Sequence, residues 1–256
     1  MDEGLDQEGQ PVTAWAGLRW PEVADATARR PVALLPFGAV EEHGPHLPLG
    51  TDIIAADGLA DRICAAAGLL RLPTMPYGQV WSLAHFPGSL TVRDELLVGL
   101  ITDLADGLRR GGVTGLVLFT AHLGNVTALR AASRALADSG GLPAITLAYP
   151  GLDQVAETVR ESPRSHPSIM HADELETSVM LALDPDSVDM DRAVSEYPRY
   201  PADFGSAPAR WDTLSDSGVF GDATAATAEK GERIVDHVVA TACTLIDAWR
   251  DRVGAR

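Results

Sequence analysis

An α/β fold, a mostly parallel sheet flanked by helices on both faces, is what this sequence predicts, and three observations carry the prediction. Apolar runs of strand length alternate with amphipathic runs of helix length along the chain. The histidine-bearing turns fall directly after predicted strands, where such sheets collect their ligands. The 256 residues can bury one core without splitting, so a single domain over residues 1–256 is expected.

The elements follow in order. Residues 1–12 are polar and acidic and are expected to be flexible. "PVALLPFG" at 31–38 reads as a buried strand, since a run without polar alternation suits a strand covered on both faces. "EEHGPHLPLGTD" at 41–52 is a polar loop, and the helix at 52–68 after it has Thr51 or Asp52 as N-cap and Gly68 as its stop. The pattern then returns: a helix closed by Gly111 and Gly112, a strand "TGLVLFT", a turn "AHLGN", a helix from 126 and a strand "PAITLAY". Residues 151–168 are polar, and 187–217 are rich in proline and aromatics. Either reads as a lid or a subunit contact. A last helix is expected over roughly 225–251.

Composition excludes several function classes. Lys+Arg of 20 against Asp+Glu of 36 gives a formal charge of −16, which repels nucleic acid and anionic membrane surfaces alike. Cys64 and Cys243 each sit in an apolar helical pattern and read as buried thiols rather than a disulfide. The N-terminus lacks the basic and apolar regions of a signal peptide, and no stretch has the length of a membrane span. A cytoplasmic setting is the expectation.

Three stretches carry chemistry. The loop at 41–52 packs three carboxylates and two histidines into twelve residues. Glu41 and His43, at i and i+2 after a strand, share a side. With Asp52 they offer nitrogen and oxygen donors that suit zinc or manganese better than calcium, which prefers oxygen alone. The competing reading has Asp52 only capping its helix and the glutamates facing solvent. "TAHLGN" adds His122 at the end of a strand, and "MHADELETSVMLAL" adds His171, Glu174 and Glu176 at a helix start. His171 and Glu174 stand three apart and can face the same way. Acidic groups gathered from three loops repel one another unless cations relieve them. His166 and His237 read as ordinary hydrogen-bonded histidines.

These stretches resemble the creatininase family of metal-dependent amidohydrolases. "EEHGPHLPLGTD" is similar to the family's metal motif, "AHLGN" to its GHGGN-type turn, "HADELETS" to its HAGExETS helix start, and "GVFGDATAATAEKGERI" to its C-terminal segment. The resemblance implies two divalent ions per chain, zinc and/or manganese with iron also admitted. Glu41, Asp52 and His122 would hold one, and His43, Asp52 and a further glutamate the other, with Asp52 bridging. Creatinine-hydrolysing members carry that glutamate two residues after the turn histidine, where this chain has Gly124. Members with glycine there carry an acid three residues after the helix-start histidine, which is Glu174. Glu176 is then expected to orient a ligand by hydrogen bonding, and the sequence leaves open an exchange of the two roles. Glu42 and His46 read as neighbours of ligands or as structural residues. His171 is the expected catalytic residue, protonating the departing nitrogen. Two ions about 3.5–4 Å apart can hold a bridging hydroxide that attacks a carbonyl carbon.

The resemblance also limits the substrate. "YGQVWSLAHFPGSLTV" aligns with the family's YGxSxEHxxFPGT stretch, but Val80, Ser82 and Leu83 replace its usual serine, glutamate and histidine. Trp81 and His85 are candidate substitutes for those substrate-binding groups, and Leu123 makes a bulkier pocket floor. Residues 151–170 lack the tryptophans of creatinine-hydrolysing members, which argues against creatinine. The expected function is hydrolysis of a small amide, cyclic amides included, or of a formamide. Trimming of a small modified peptide and a turnover-free structural or assembly role are the alternatives. A small-molecule substrate and a homo-oligomer, with a hexamer favoured, complete the expectation.

Overall fold

Thirteen helices and strands, in a computed structural model that describes residues 14–255, follow the predicted alternation. They are α1 (Val23–Arg29), β1 (Val32–Phe37), α2 (Thr51–Ala67), β2 (Leu70–Arg71), α3 (Asp94–Arg110), β3 (Gly115–Thr120), α4 (Val126–Asp138), β4 (Ala144–Ala148), α5 (Leu152–Val159), α6 (Glu174–Leu183), β5 (Ser195–Glu196), β6 (Gly221–Asp222) and α7 (Ala228–Val253). The start expected to be flexible, residues 1–12, lies outside the described residues.

β2, β1, β3 and β4 form one parallel sheet in that order. β1 and β3 are buried along their whole length, and successive residues feed opposite faces. Val32, Leu34, Val117 and Phe119 pack with α2, α5, α6 and α7. Ala33, Leu35, Phe37, Leu116 and Leu118 pack with α3 and α4. Phe119 is fully buried, and its truncation to alanine would cost about 3–5 kcal/mol. β1 and β3 pair side by side although α2 and β2 lie between them in sequence, so their C-terminal ends open the crevice at a topological switch point.

α6 is held hard against α7. A side chain on Gly231 would strike the Ser178 carbonyl, so only glycine permits this approach. Asp173 caps α6 by accepting from the Leu175 and Glu176 amides at 2.9 and 3.2 Å, and Arg160 holds Asp173 at 2.9 Å.

Three expectations change. Gly50 rather than Thr51 or Asp52 occupies the N-cap of α2, which puts Asp52 inside the first turn and frees its carboxylate for other work. Residues 151–168 are not all lid: they contain α5, whose Val155, Ala156 and Val159 join the core. Within 187–217, Tyr200, Phe204 and Trp211 pack on Ile169 and Phe220 and so form part of a small apolar cluster. Cys64 is buried, Cys243 is half-buried, and both are free thiols. Among the described residues no helix is long and apolar enough to cross a membrane.

Candidate metal centre

The loop after β1 delivers Glu41 and His43, the first turn of α2 delivers Asp52, the turn after β3 delivers His122, and the first turn of α6 delivers Glu176. All five side chains are buried. His122 Nδ1 lies 3.2 Å from Glu41 Oε2 and 3.1 Å from Asp52 Oδ2. His43 Nε2 lies 3.5 Å from Asp52 Oδ1 and 3.6 Å from Glu176 Oε2. Two three-residue groups therefore form, Glu41–Asp52–His122 and His43–Asp52–Glu176, each able to hold an ion, and Asp52 belongs to both.

The imidazoles are set up as ligands by what their other nitrogens do. His122 Nε2 donates to the Gln79 carbonyl at 2.7 Å, and His43 Nδ1 donates to the Glu41 carbonyl at 3.1 Å. In the neutral ring each such bond leaves a lone pair aimed at the carboxylates. Neither His43 Nε2 nor Asp52 Oδ2 has a hydrogen-bond partner, a costly state for buried polar atoms. Donors around a tetrahedral ion with bonds of ~2.0–2.1 Å stand about 3.3 Å apart, and the 3.1–3.6 Å separations match that spacing. The donor set therefore fits zinc or manganese.

Without a cation, protons do the neutralising. Burial lowers the pKa of His43, but Glu176 and Asp52 outweigh it and hold the ring well above its ordinary value. His122 is raised in the same way by Glu41 and Asp52 against the pull of burial. Burial pushes Asp52 up, yet His122 and His43 hold it below the usual carboxylate range. His46 is lowered to about 4, first by burial and then by the charge of His43, so it stays neutral and contacts Thr177 Oγ1 at 2.8 Å.

Glu174, expected as the fifth ligand, is turned away from this cluster. Its carboxylate accepts from Lys230 Nζ at 2.6 Å and from the amides of Glu161 and Ser162 at 2.9 and 2.8 Å. Asp173 is the cap, so positions one and three of α6 point to different sides, and Glu176 is the one that reaches His43. Within "HADELE" the structure therefore brings Glu176 to the cluster and not Glu174. The Ala172 amide donates to Glu176 Oε2 at 2.6 Å, and Ala172 lies at φ +50°, in the left-handed region. Gly124 stands where creatinine-hydrolysing relatives carry their ligand, but a side chain there would strike His122 Nε2 and the Gln79 carbonyl. The hydrogen bond that orients His122 fills the space a ligand would need.

His171 adjoins the cluster. Its Nε2 lies 3.0 Å from Glu42 Oε1 and its Nδ1 3.8 Å from Glu41 Oε2. Glu41, His43 and His171 form a third grouping compact enough for an ion. A cavity of about 230 Å³ opens over the carboxylates, walled by Leu83, Leu123, Ile169, Met170 and Trp211. Leu123 lines it as expected. Trp81 and His85 do not: Trp81 is 45% exposed, and the stretch sends Gln79, Ser82 and Leu83 inward instead. Trp211 was not among the expected site residues. It packs edge-on to His171 at 5.9 Å and against Phe220 at 4.9 Å, and its only signal in the sequence is the density of aromatics at 197–211.

Fold and cluster together define a metal-binding α/β protein with its site at the sheet's switch point. The chain belongs to the creatininase family, whose profile, described as creatinine amidohydrolase, matches residues 16–246. It is 30% identical over 247 residues to the creatinine amidohydrolase of Pseudomonas putida, covering 87% of this chain and 91% of that protein. It is also 30% identical over 241 residues to the mycofactocin precursor peptide peptidase of Mycolicibacterium smegmatis, covering 88% of each. A crystal structure of creatininase superposes with a TM-score of 0.81 at 28% identity, covering 93% of this chain and 97% of that one. A manganese form of creatininase superposes with a TM-score of 0.79 at 28% identity, covering 94% and 98%, and a Zn–Zn variant with 0.77 at 27%, covering 93% and 97%.

Proposed function

We propose that this amidohydrolase-family protein holds two divalent ions, one on Glu41, Asp52 and His122 and the other on His43, Asp52 and Glu176, and hydrolyses a C–N bond of a small amide or formamide. The observation that carries the reading is Asp52, shared by two groups in which His43 Nε2 and His122 Nδ1 both face carboxylates. Bound ions would supply Lewis acidity toward a carbonyl and a water acidified toward neutral pH.

The chain's own residues do the rest. His171 presents Nδ1 to the cluster and carries a proton to the departing nitrogen, while Glu42 fixes the ring by accepting from Nε2 at 3.0 Å. Glu42 is itself braced by the Gly44 amide at 2.9 Å. Leu83, Leu123, Ile169, Met170 and Trp211 shield the site from bulk water. Among the lining residues there is no lysine or arginine, so the chain supplies no cationic side chain to pair with an anionic substrate.

The similarity to the mycofactocin precursor peptide peptidase, equal in identity to that with creatinine amidohydrolase, supports a second reading as a peptidase of a small modified peptide. A homo-oligomer, hexamer favoured, remains our inference from the family. Protein reconstituted with zinc or manganese should turn over at least one among cyclic amides, formamides and short peptides. Protein carrying both ions that hydrolyses none of these classes would overturn the catalytic reading.

A further inference from the structure

We propose that Tyr149 is a positioning residue of the metal centre, its hydroxyl donating a hydrogen bond to the Glu176 carboxylate when the centre is loaded. The inference rests on the reading of Glu41, His43, Asp52, His122 and Glu176 as ligands, and it adds a residue that no motif marks.

Three observations meet at this side chain. Tyr149 is 3% exposed, and its hydroxyl has no hydrogen-bond partner. A buried phenol usually finds one, so the orphan group calls for an explanation. Its backbone lies at φ +40°, in the left-handed region that a bulky residue rarely occupies, so the fold holds this side chain in place at a conformational cost. Its position is also that of the site. Tyr149 follows the last paired residues of β3 and β4, Thr120 and Ala148, and so stands at the same sheet edge as His122. It shares an apolar core with Ala121, Met170 and Leu175, which flank the residues of the cluster.

His43 Nε2, which faces Glu176 Oε2 at 3.6 Å, is an orphan atom as well, and so is Asp52 Oδ2 on the His122 side of the cluster. A buried donor without a partner, at the sheet edge of a cluster that itself holds unpaired polar atoms, is the pattern of a site completed by an ion. A cation drawn between His43, Asp52 and Glu176 leaves the second carboxylate oxygen of Glu176 to be oriented, and the Ala172 amide already holds the first. Burial, and then the charges of Glu176 and Asp52, hold the phenol well above its ordinary pKa, so it remains a donor.

The test is Tyr149→Phe, which removes the hydroxyl and keeps the ring. Because that hydroxyl has no hydrogen-bond partner of its own, metal-free Y149F should melt at the wild-type temperature or slightly above it. Competitive titration with Zn²⁺ should show the first ion bound as in wild type and the second weakened about 10-fold or more, as outer hydrogen-bond partners of metal ligands typically do. Addition of the second Zn²⁺ to wild type should produce a tyrosine ultraviolet difference band that Y149F lacks. A role in packing alone would not give unchanged metal-free stability together with a selective loss at one ion. The proposal is overturned if Y149F fills both sites like wild type, if the band is absent, or if metal-free Y149F melts several degrees lower. A wild type that cannot bind two ions would instead bring down the metal-centre reading itself, and this proposal with it.

Discussion

The cluster has two walls, and they are built by different means. On the sheet-edge wall, Glu41, His43, Asp52 and His122 each sit within six residues of a strand end or helix start. Backbone carbonyls at Glu41 and Gln79 fix the two imidazoles there. The opposite wall, built from residues 160–220, depends on partners far away in sequence. His171 is held by Glu42, 129 residues away, and Glu174 by Lys230, 56 residues away. Strand ends and helix starts thus place the residues of the first wall, with His122 also fixed from 43 residues away, while on the second wall tertiary contacts select among neighbouring side chains.

The largest effect that could break this comparison is expected at Asp52, the residue both ion groups share. Asp52→Asn should lose both ions and all turnover, because it removes charge from each group at once. Elemental analysis after reconstitution checks this, and retention of both ions would show that the groups do not depend on a common bridge.

The two glutamates of α6 test the second wall directly. Glu176→Gln should lose one ion of two and leave the fold intact. Glu174→Gln should keep both ions and lose about 3 kcal/mol of stability, the lower end for breaking a buried pair, since Lys230 retains Glu161 at 3.1 Å and the Ala225 carbonyl at 2.7 Å. The pH dependence should follow the same division. Burial raises the Glu174 pKa, but Lys230 and the Ser162 and Glu161 amides lower it more, so its folded value is depressed. Its contribution is therefore present above about pH 4.3 and lost as pH falls through the folded value. Burial lowers Lys230, but Glu174 and Glu161 raise it overall, so the lysine's contribution holds below about pH 10.4 and fades as pH rises through its folded value. Denaturation of metal-free wild type and E174Q at pH 3 and pH 7 should show the stability gap at pH 7 and its narrowing at pH 3.

His171→Asn should retain both ions and lose ~10²–10⁴-fold in turnover, the usual contribution of a positioned acid or base. Glu42→Gln should lose less, because an amide oxygen still accepts from Nε2. If H171N loses an ion, the grouping of Glu41, His43 and His171 is a ligand set and the proton-transfer role falls.

How much was legible follows from this division. The strands could be read because β1 and β3 are buried on both faces, which demands unbroken apolar runs. That Glu41, His43 and Asp52 converge could be read because spacing on a short loop leaves few places for a side chain to go. Glu174 and Glu176 could not be told apart, since both are acids in the first turn of one helix and the choice depends on Lys230, 56 residues later than Glu174. The helix at Leu152–Val159 was hidden by a polar, proline-containing stretch whose apolar face rests on α7. Trp211 was hidden because nothing local tells a packing aromatic from one that walls a cavity.

The smallest effects sharpen the comparison at the cavity. Trp211 lines it and packs edge-on to His171, whereas Trp81, in the stretch that resembles the family's pocket motif, is 45% exposed and lies outside the lining. Once a substrate is found, Trp211→Phe should raise KM by a few fold, because the ring loses contact area but keeps its place beside Phe220. A fall in kcat larger than the rise in KM would mean that Trp211 acts through His171 instead, by holding the imidazole against Glu42. Trp81→Phe and His85→Ala should leave both constants nearly unchanged, since both side chains are exposed and neither lines the cavity. A clear rise in KM in either variant would mean that the loop around residues 81–85 closes over bound substrate. The second wall would then extend to a segment that the sequence motif had already singled out.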